Sequence, residues 1–269
     1  QLNEEIRSIV ELGVDIRYNM KLGRDFTIES LKRDGFTAVF IGLGAQKATN
    51  IGVPGEDLPG VTSGLDFLAR IARGEKPGLG DRVLVIGGGN TAMDAARSAL
   101  RLGAKDVTVA YRRTRTEMPA QEVEIEEALE EGVNIQYLTA PVSIKAAGSL
   151  LQMTCTRMEL GAPDRSGRRS PVPIPGSEFT ITATTIISAI GQAVDGACVG
   201  NATLLDRKGN VMADPATMQT SDPWVFSGGD CVTGPDIAIA AIGAGRKAAE
   251  SIDRLIRGEP LTPGNDPYT

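Results

Sequence analysis

The chain has 269 residues, of which 41% are hydrophobic, carries a net charge of −6 and contains no histidine. That length holds one large or two medium domains with a real apolar core. The acidic balance argues against nucleic acid or an anionic membrane as partner. The missing imidazole excludes a histidine base, a His–Asp relay and a histidine metal ligand.

Taken in chain order, Leu2, Ile6, Ile9 and Val10 fall on one side of a helix that Gly13 stops. Residues 14–18 read as a short strand and 27–32 as a short helix. TAVFI (37–41) reads as a buried strand running into GLGA (42–45), and VPGEDLPGV (53–61) as a linker. A helix is expected over 64–73 and a turn at KPGLG (76–80). Then come a buried strand at 83–86, a helix at 91–102 and a strand at 107–111, parallel to the previous one by the right-handed crossover rule. Residues 121–131 form an acidic helix whose charges read as a solvated face, followed by a strand at 133–138. From about 142 to 184 the pattern alternates, as in an antiparallel meander with a long flexible hairpin tip. Arg165, Arg168 and Arg169 read as solvated there. Another buried strand is expected at 185–190, a short one at 225–226 and a helix at 238–252. The 32 glycines between Val-, Ile- and Ala-rich strands indicate an α/β protein. No apolar run is long enough for a membrane span, and no repeat occurs at solenoid spacing.

Cys155, Cys198 and Cys231 form no CxxC pair, which excludes a redox dithiol of the thioredoxin-reductase kind and a local zinc or iron–sulfur site. Three free thiols fit a reducing cytoplasm.

The main chemical signal is RVLVIGGGNTAMDA at 82–95. Gly87, Gly88, Gly89, Asn90, Thr91 and Ala92 fit G-x-G-x-x-A between a strand and a helix. The first glycine permits the tight turn, the second lets backbone approach a pyrophosphate, and the small last residue lets the helix pack on the sheet. Free N–H groups at the helix start then face the phosphates. The next strand ends in VTVAYRRTRTEMP, where Arg112, Arg113 and Arg115 stand in the region of the acid that would bind a ribose 2′-hydroxyl. Guanidinium groups suit a 2′-phosphate, which favours NADPH over NADH; the alternative is a basic surface loop. In the tail, a short strand runs into Gly228, Gly229 and Asp230, and a helix rich in small residues follows. The residues alone leave two readings of it: a second nucleotide site, or a helix packed on a sheet.

GGGNTAMDAA, YRRT…EMPA, SAIGQ, TMQTSDPWVFSGGD and GRKAAESI together resemble the small-subunit family of NADPH-dependent glutamate synthase. That family includes the NADPH-facing half of dihydropyrimidine dehydrogenase and related ferredoxin–NADP oxidoreductases. The resemblance covers essentially the whole chain. It implies two interleaved Rossmann-like domains, the two-dinucleotide-binding-domain flavoprotein fold. Residues 1–60 and 192–269 would be parts of an FAD-binding domain, and 61–191 an inserted NADPH-binding domain. Gly44 and Ala45, with Ala189 and Gly191, would lie at the two crossings beside the cofactors, Ala189–Gly191 on the nicotinamide side. Gly229 and Asp230 would meet the ribityl–phosphate region of FAD, and Asp236, Ile237 and Ala238 its isoalloxazine ring. The family's first G-x-G-x-x-G and its upstream cluster-binding cysteines have no counterpart here. The resemblance therefore implies that Gln1 falls in mid-domain, with the N-terminal part of the FAD domain missing.

The implied activity is hydride transfer from NADPH to FAD, with electrons passing on to iron–sulfur clusters on another segment or subunit. No catalytic side chain and no metal ligand is assigned. Two alternatives remain at this stage: an NADPH-binding fragment inert by itself, and a flavin-free NADPH dehydrogenase, which would need a proton donor near the nicotinamide.

Overall fold

An unbroken apolar strand needs cover on both faces, and residues 83–86 receive it. The computed structural model describes residues 2–164 and 167–261. In chain order its elements are α1 (Leu2–Val10), α2 (Ile28–Arg33), β1 (Val39–Ile41), β2 (Lys47–Ala48), β3 (Val61–Ser63), α3 (Gly64–Ala72), β4 (Arg82–Ile86), α4 (Asn90–Arg101), β5 (Asp106–Ala110), α5 (Glu122–Glu130), β6 (Asn134–Gln136), β7 (Thr139–Ala147), β8 (Leu150–Pro163), β9 (Arg169–Pro173), β10 (Phe179–Ala183), β11 (Thr185–Ser188), β12 (Gln192–Ala193), β13 (Val225–Ser227), α6 (Asp230–Thr233) and α7 (Ala238–Arg257). Among the described residues no helix is long and apolar enough to cross a membrane. The chain forms two compact units: Gln46–Gln192, and the residues up to Ala45 joined with those from Ala193 on.

The Gln46–Gln192 unit is built on a five-stranded sheet in the order β3-β11-β4-β5-β6, with every pair parallel. Because side chains alternate along a strand, Val83 and Val85 face one way and Leu84 and Ile86 the other. Val83 and Val85 join Phe67 of α3, Met93 and Ala96 of α4 and Ile125 of α5 in one buried cluster. Leu84, Ile86 and Ile186 pack on the other side against Ile144, Leu151, Met153 and Cys155 of the antiparallel strands β7 and β8. The unit thus has three layers: helices, parallel sheet, meander. β8 is long enough to pair with β7 and β10 through its first half and with β9 through its second.

In the other unit β1 and β13 pair in parallel, Val39 opposite Val225 and Ile41 opposite Ser227. The Ser227 hydroxyl donates to the Ile41 carbonyl at 2.9 Å. Ile28, Ile41, Ala45, Leu204, Trp224 and Cys231 form its principal cluster. Thr27 and Ser30 cap α2 reciprocally, and the Lys32 ammonium lies 5.2 Å from the centre of the Trp224 ring. α7 packs through Ala248 onto Phe226 and Met218.

Five sequence expectations change. Residues 14–18 form no strand: Val14, Ile16 and Tyr18 are exposed and no described strand pairs with them. β1 is shorter than expected, and Phe40 stays partly exposed. The stretch 53–61 is no linker, and residues 46–60 stand with the unit that follows them, against the expected boundary after residue 60. Ile51, Val53 and Leu58 pack on the meander-side core, and the Ile144 amide donates to the Pro54 carbonyl at 2.8 Å. Gly55 sits so close that a Cβ would fall 1.9 Å from the Ile144 carbonyl oxygen. Finally, the acidic face of α5 is ion-paired. Arg97 of α4 meets Glu124 at 2.8 Å, Glu127 at 2.7 Å and Glu131 at 2.8 Å, and Arg101 also reaches Glu131. Of the basic cluster at the hairpin tip, Arg165 lies outside the described residues. Arg169 is not merely solvated, since its guanidinium donates to the Leu160 and Gly161 carbonyls.

Hydrogen bonds from Arg101 and Arg97 hold the Glu131 carboxyl below its ordinary range. A depressed carboxylate contributes stability above its unfolded pKa and loses it as pH falls through the folded one. Arg97→Met is therefore expected to lower Tm by about 2–4 °C near neutral pH. In paired thermal melts of wild type and variant, the difference should shrink as the pH drops below about 4.

Candidate dinucleotide site

The carboxyl ends of β11, β4 and β5 meet because two glycines leave them room. Gly87 has φ +145°, and a Cβ there would lie 2.2 Å from the Ala189 carbonyl oxygen, just after β11. A Cβ on Gly88 would lie 2.5 Å from the Tyr111 ring, just after β5. Backbone bonds fix the same approach: the Gly87 amide donates to the Ala110 carbonyl at 3.1 Å and the Ala189 amide to the Ile86 carbonyl at 2.8 Å.

Gly89 differs. It is the N-cap of α4, in extended conformation, and no side chain caps this helix. A Cβ on Gly89 would touch only the Pro119 ring, at 3.8 Å. The amides opening α4 thus stand beside open space, and an uncapped helix start favours an anion. Ala92, Ala95, Ala96 and Ala99 are fully buried, so α4 lies close on the sheet.

The side chains of Asn90 and Thr91 are already engaged. Asn90 Oδ1 accepts from the Gln121 amide at 2.9 Å, tying the start of α4 to that of α5. Thr91 Oγ1 accepts from Gln192 Nε2 at 3.2 Å, and the Thr49 amide donates to the Gly191 carbonyl at 3.2 Å. Gln192 stands in SAIGQ, but no local pattern points to it, because its partner lies 101 positions away. Ser188 Oγ, at the end of β11, is buried without a partner among the described residues.

The three arginines after β5 separate into different environments. Arg112 is exposed and makes no ion pair among the described residues. Arg113 is only 5% exposed; its Nε donates to the Arg169 carbonyl and its Nη2 to Asp164, both at 2.7 Å. Arg115 pairs with Glu122 and, at 3.5 Å, with Glu126 in the first turns of α5. Below them the chain turns through Arg115–Glu117, where the Thr114 hydroxyl and amide bind the Glu117 carboxylate and hold it below the ordinary carboxylate range. The Tyr111 hydroxyl donates to the Glu117 carbonyl at 2.7 Å.

In the other unit, Gly44 is half-buried with φ +67°, and Ala45 is buried in the main cluster. Gly229 follows β13 at φ +75°, and half-buried Asp230 opens the four-residue α6. The Asp236 carboxylate accepts from the Ile237 amide at 2.7 Å, next to the start of α7. No side chain caps α7, and Ile237, Ala238, Ile239 and Ile242 are exposed along its first turns. Apolar residues at that density would be buried if the helix start were packed in this unit.

The family model for pyridine nucleotide-disulphide oxidoreductases matches residues 2–245. The chain is 43% identical over 263 residues to the NADP(+)-dependent formate dehydrogenase subunit beta of Moorella thermoacetica, a match covering 96% of this chain and 37% of that protein. It is 38% identical over 259 residues to the glutamate synthase [NADPH] small chain of Halomonas elongata, covering 90% and 54%. The chain therefore spans only part of the length of these relatives. Among solved structures it is similar to FprA from Mycobacterium tuberculosis (His57Gln mutant), with a TM-score of 0.75 at 20% identity, covering 96% of this chain and 72% of that one. The α/β architecture is the two-dinucleotide-binding-domain fold expected from the sequence, and the chain belongs to the pyridine nucleotide-disulphide oxidoreductase family.

Proposed function

We propose that the chain is an NADPH-to-flavin electron-transfer module whose electrons leave to an iron–sulfur segment or subunit beyond these residues. The Gln46–Gln192 unit takes NADPH and the other unit takes part of FAD. The carrying observation is the contrast within one turn: Gly87 and Gly88 have no room for a side chain, whereas Gly89 has room and opens an uncapped helix. A purely structural turn needs the first two glycines and gains nothing from the third. A loop that receives a pyrophosphate needs all three.

In this reading the backbone of Gly87, Gly88, Gly89, Asn90 and Thr91 cradles the pyrophosphate, and Arg112 meets the 2′-phosphate. Arg115 lends its charge from one side, held by Glu122. Ala189 and Gly191 offer a flat approach for the nicotinamide. Gly44, Ala45, Gly229 and Asp230 belong to the flavin's sugar-chain side, and Asp236, Ile237 and Ala238 to its ring side. The bare start of α7 fits a flat apolar ligand there. Bound together, the cofactors themselves supply hydride transfer and the release of single electrons. The chain's part is orientation and exclusion of water, for which it needs no histidine.

Direct reduction of a carbonyl is disfavoured, because the tyrosine nearest the dinucleotide loop, Tyr111, has its hydroxyl committed to a backbone carbonyl. An internal dithiol step is disfavoured too. The three thiols form no disulfide, and burial pushes the Cys155 thiol up to about 12. Such thiols fit the cytoplasm as compartment. The names of the two relatives, a subunit beta and a small chain, support a partner subunit as acceptor.

Three measurements test this reading. Gly88→Ala should lower Tm by several degrees, whereas Gly89→Ala should leave Tm within about 1 °C and weaken NADPH at least about tenfold in calorimetric titration. Unchanged affinity in Gly89→Ala would remove the pyrophosphate from this loop. Arg112→Ala should weaken NADPH about 10- to 100-fold and NADH less than about threefold; equal losses would refute the 2′-phosphate contact. Purified protein incubated with FAD and desalted should keep a flavin absorption band that NADPH bleaches. A retained band that NADPH leaves untouched would argue against an electron path from one cofactor to the other.

A further inference from the structure

Arg113 stands in a doublet that the sequence reads as one phosphate clamp, yet its side chain is buried and turned into the β8–β9 hairpin. A buried guanidinium is costly unless it is paired and fully hydrogen-bonded. Here Nη2 meets the Asp164 carboxylate at 2.7 Å, and Nε meets the Arg169 carbonyl at 2.7 Å. These two acceptors flank the hairpin turn: Asp164 follows the last residue of β8, and Arg169 is the first of β9. The Arg113 backbone is held as well: its carbonyl accepts from the Leu138 amide at 3.1 Å. Leu138 has φ +53°, a left-handed conformation uncommon for a leucine. The Leu138 carbonyl in turn accepts from the Met158 amide of β8 at 2.8 Å. The loop after β5 is therefore bolted to the meander through both the side chain and the main chain of Arg113.

The neighbours of this bolt are the arginines that the proposed function assigns to the phosphate. Arg112 is the adjacent residue, exposed and with no ion pair among the described residues, and Arg115 follows two positions later. With Arg113 held on one side, and the Tyr111 carbonyl accepting from the Thr139 amide at 2.9 Å on the other, the backbone position from which Arg112 projects is fixed. We infer that Asp164 is a positioning residue for cofactor choice. By holding Arg113 in the hairpin it sets the arginine loop in the geometry that accepts a 2′-phosphate, so the meander, remote in sequence from the dinucleotide loop, governs the preference for NADPH over NADH. The inference rests on the proposal that this loop meets the 2′-phosphate, and gives the two arginines separate tasks: Arg112 touches the ligand and Arg113 carries the scaffold.

Loss of Asp164 leaves Arg113 buried with the Arg169 carbonyl as its remaining hairpin acceptor. The guanidinium must then move toward water and shift the loop. The adenine, pyrophosphate and nicotinamide contacts lie elsewhere, so NADH should bind almost as before.

The experiment is a calorimetric titration of the full chain with NADPH and with NADH, alongside thermal melts. The proteins are wild type, Arg112→Ala, Asp164→Asn, Asp164→Ala, Asp164→Glu and Arg113→Lys. Asp164→Asn and Asp164→Ala are expected to weaken NADPH about 3- to 10-fold and NADH less than about twofold. Arg113→Lys should do the same, since an ammonium cannot serve both acceptors in the guanidinium's fork. Asp164→Glu should recover part of the loss. A fall in Tm with an unchanged NADPH-to-NADH ratio would overturn the inference and leave Asp164 as a hairpin brace. Tighter NADPH binding in Asp164→Ala would also overturn it, by showing that a released Arg113 joins the phosphate. If Arg112→Ala alters the ratio and the Asp164 variants do not, only this inference fails. If wild type binds both cofactors alike, the 2′-phosphate reading fails and takes the inference with it.

Discussion

The site depends on the absence of two side chains. Gly87 lets the end of β4 touch the carbonyl that follows β11, and Gly88 lets it touch the aromatic ring that follows β5. Neither contact admits even a methyl group. Three parallel strands can therefore release their chains at one spot, and α4 can begin there with its amides uncovered. A ligand crevice at the carboxyl edge of a parallel sheet is the general outcome of such an arrangement. What is particular here is the tightness of the first two glycines and the freedom of the third, which divides one motif into a part that builds the fold and a part free to serve a ligand.

The second constraint is the burial of the sheet on both faces. Helices cover one face and an antiparallel meander the other. The meander reaches further than a cover needs to. β8 has 14 residues, and its second half carries β9 and the turn whose flanks bind Arg113. A layer whose first task is to bury Leu84 and Ile86 thus also fixes the loop after β5. On the opposite face Arg97 joins α4 to α5 through three carboxylates, and Asn90 joins their starts. The two loops at this edge of the sheet are thus braced from different layers, the one after β5 by the meander and the start of α4 by α5, while among the described residues no side chain caps α4 and Arg112 makes no ion pair.

Much of this was legible in sequence where local periodicity decides the structure. The strand–glycine–helix–strand order at 82–110 follows from a short apolar run, three glycines and an alanine-rich helix, and the structure bears it out. Alternation between 142 and 184 gave the antiparallel meander for the same reason. The failures share a cause in long-range contact. Nothing within 53–61 says that Gly55 will lie against the backbone of Ile144, so a Pro- and Gly-rich segment reads as a linker. Nothing within YRRT separates Arg112 from Arg113, because the groups that bury Arg113 lie 51 and 56 positions downstream. Val14, Ile16 and Tyr18 have the alternation of a strand, but a strand exists only with a partner, and no described strand lies beside them.

The division between the two arginines bears on how cofactor preference is read from sequence in such loops. Arg112 and Arg113 are adjacent in a bend after β5, yet Arg112 is exposed and Arg113 is buried. One of the two faces the protein. A guanidinium turned inward is tolerable only if the fold supplies acceptors for it, and here the β8–β9 hairpin does. The inward residue therefore reports on the hairpin, and the outward one on the ligand of the proposed function. By that logic, replacing both arginines at once mixes a scaffold effect with a recognition effect. Single substitutions, one on each side of the loop, separate them.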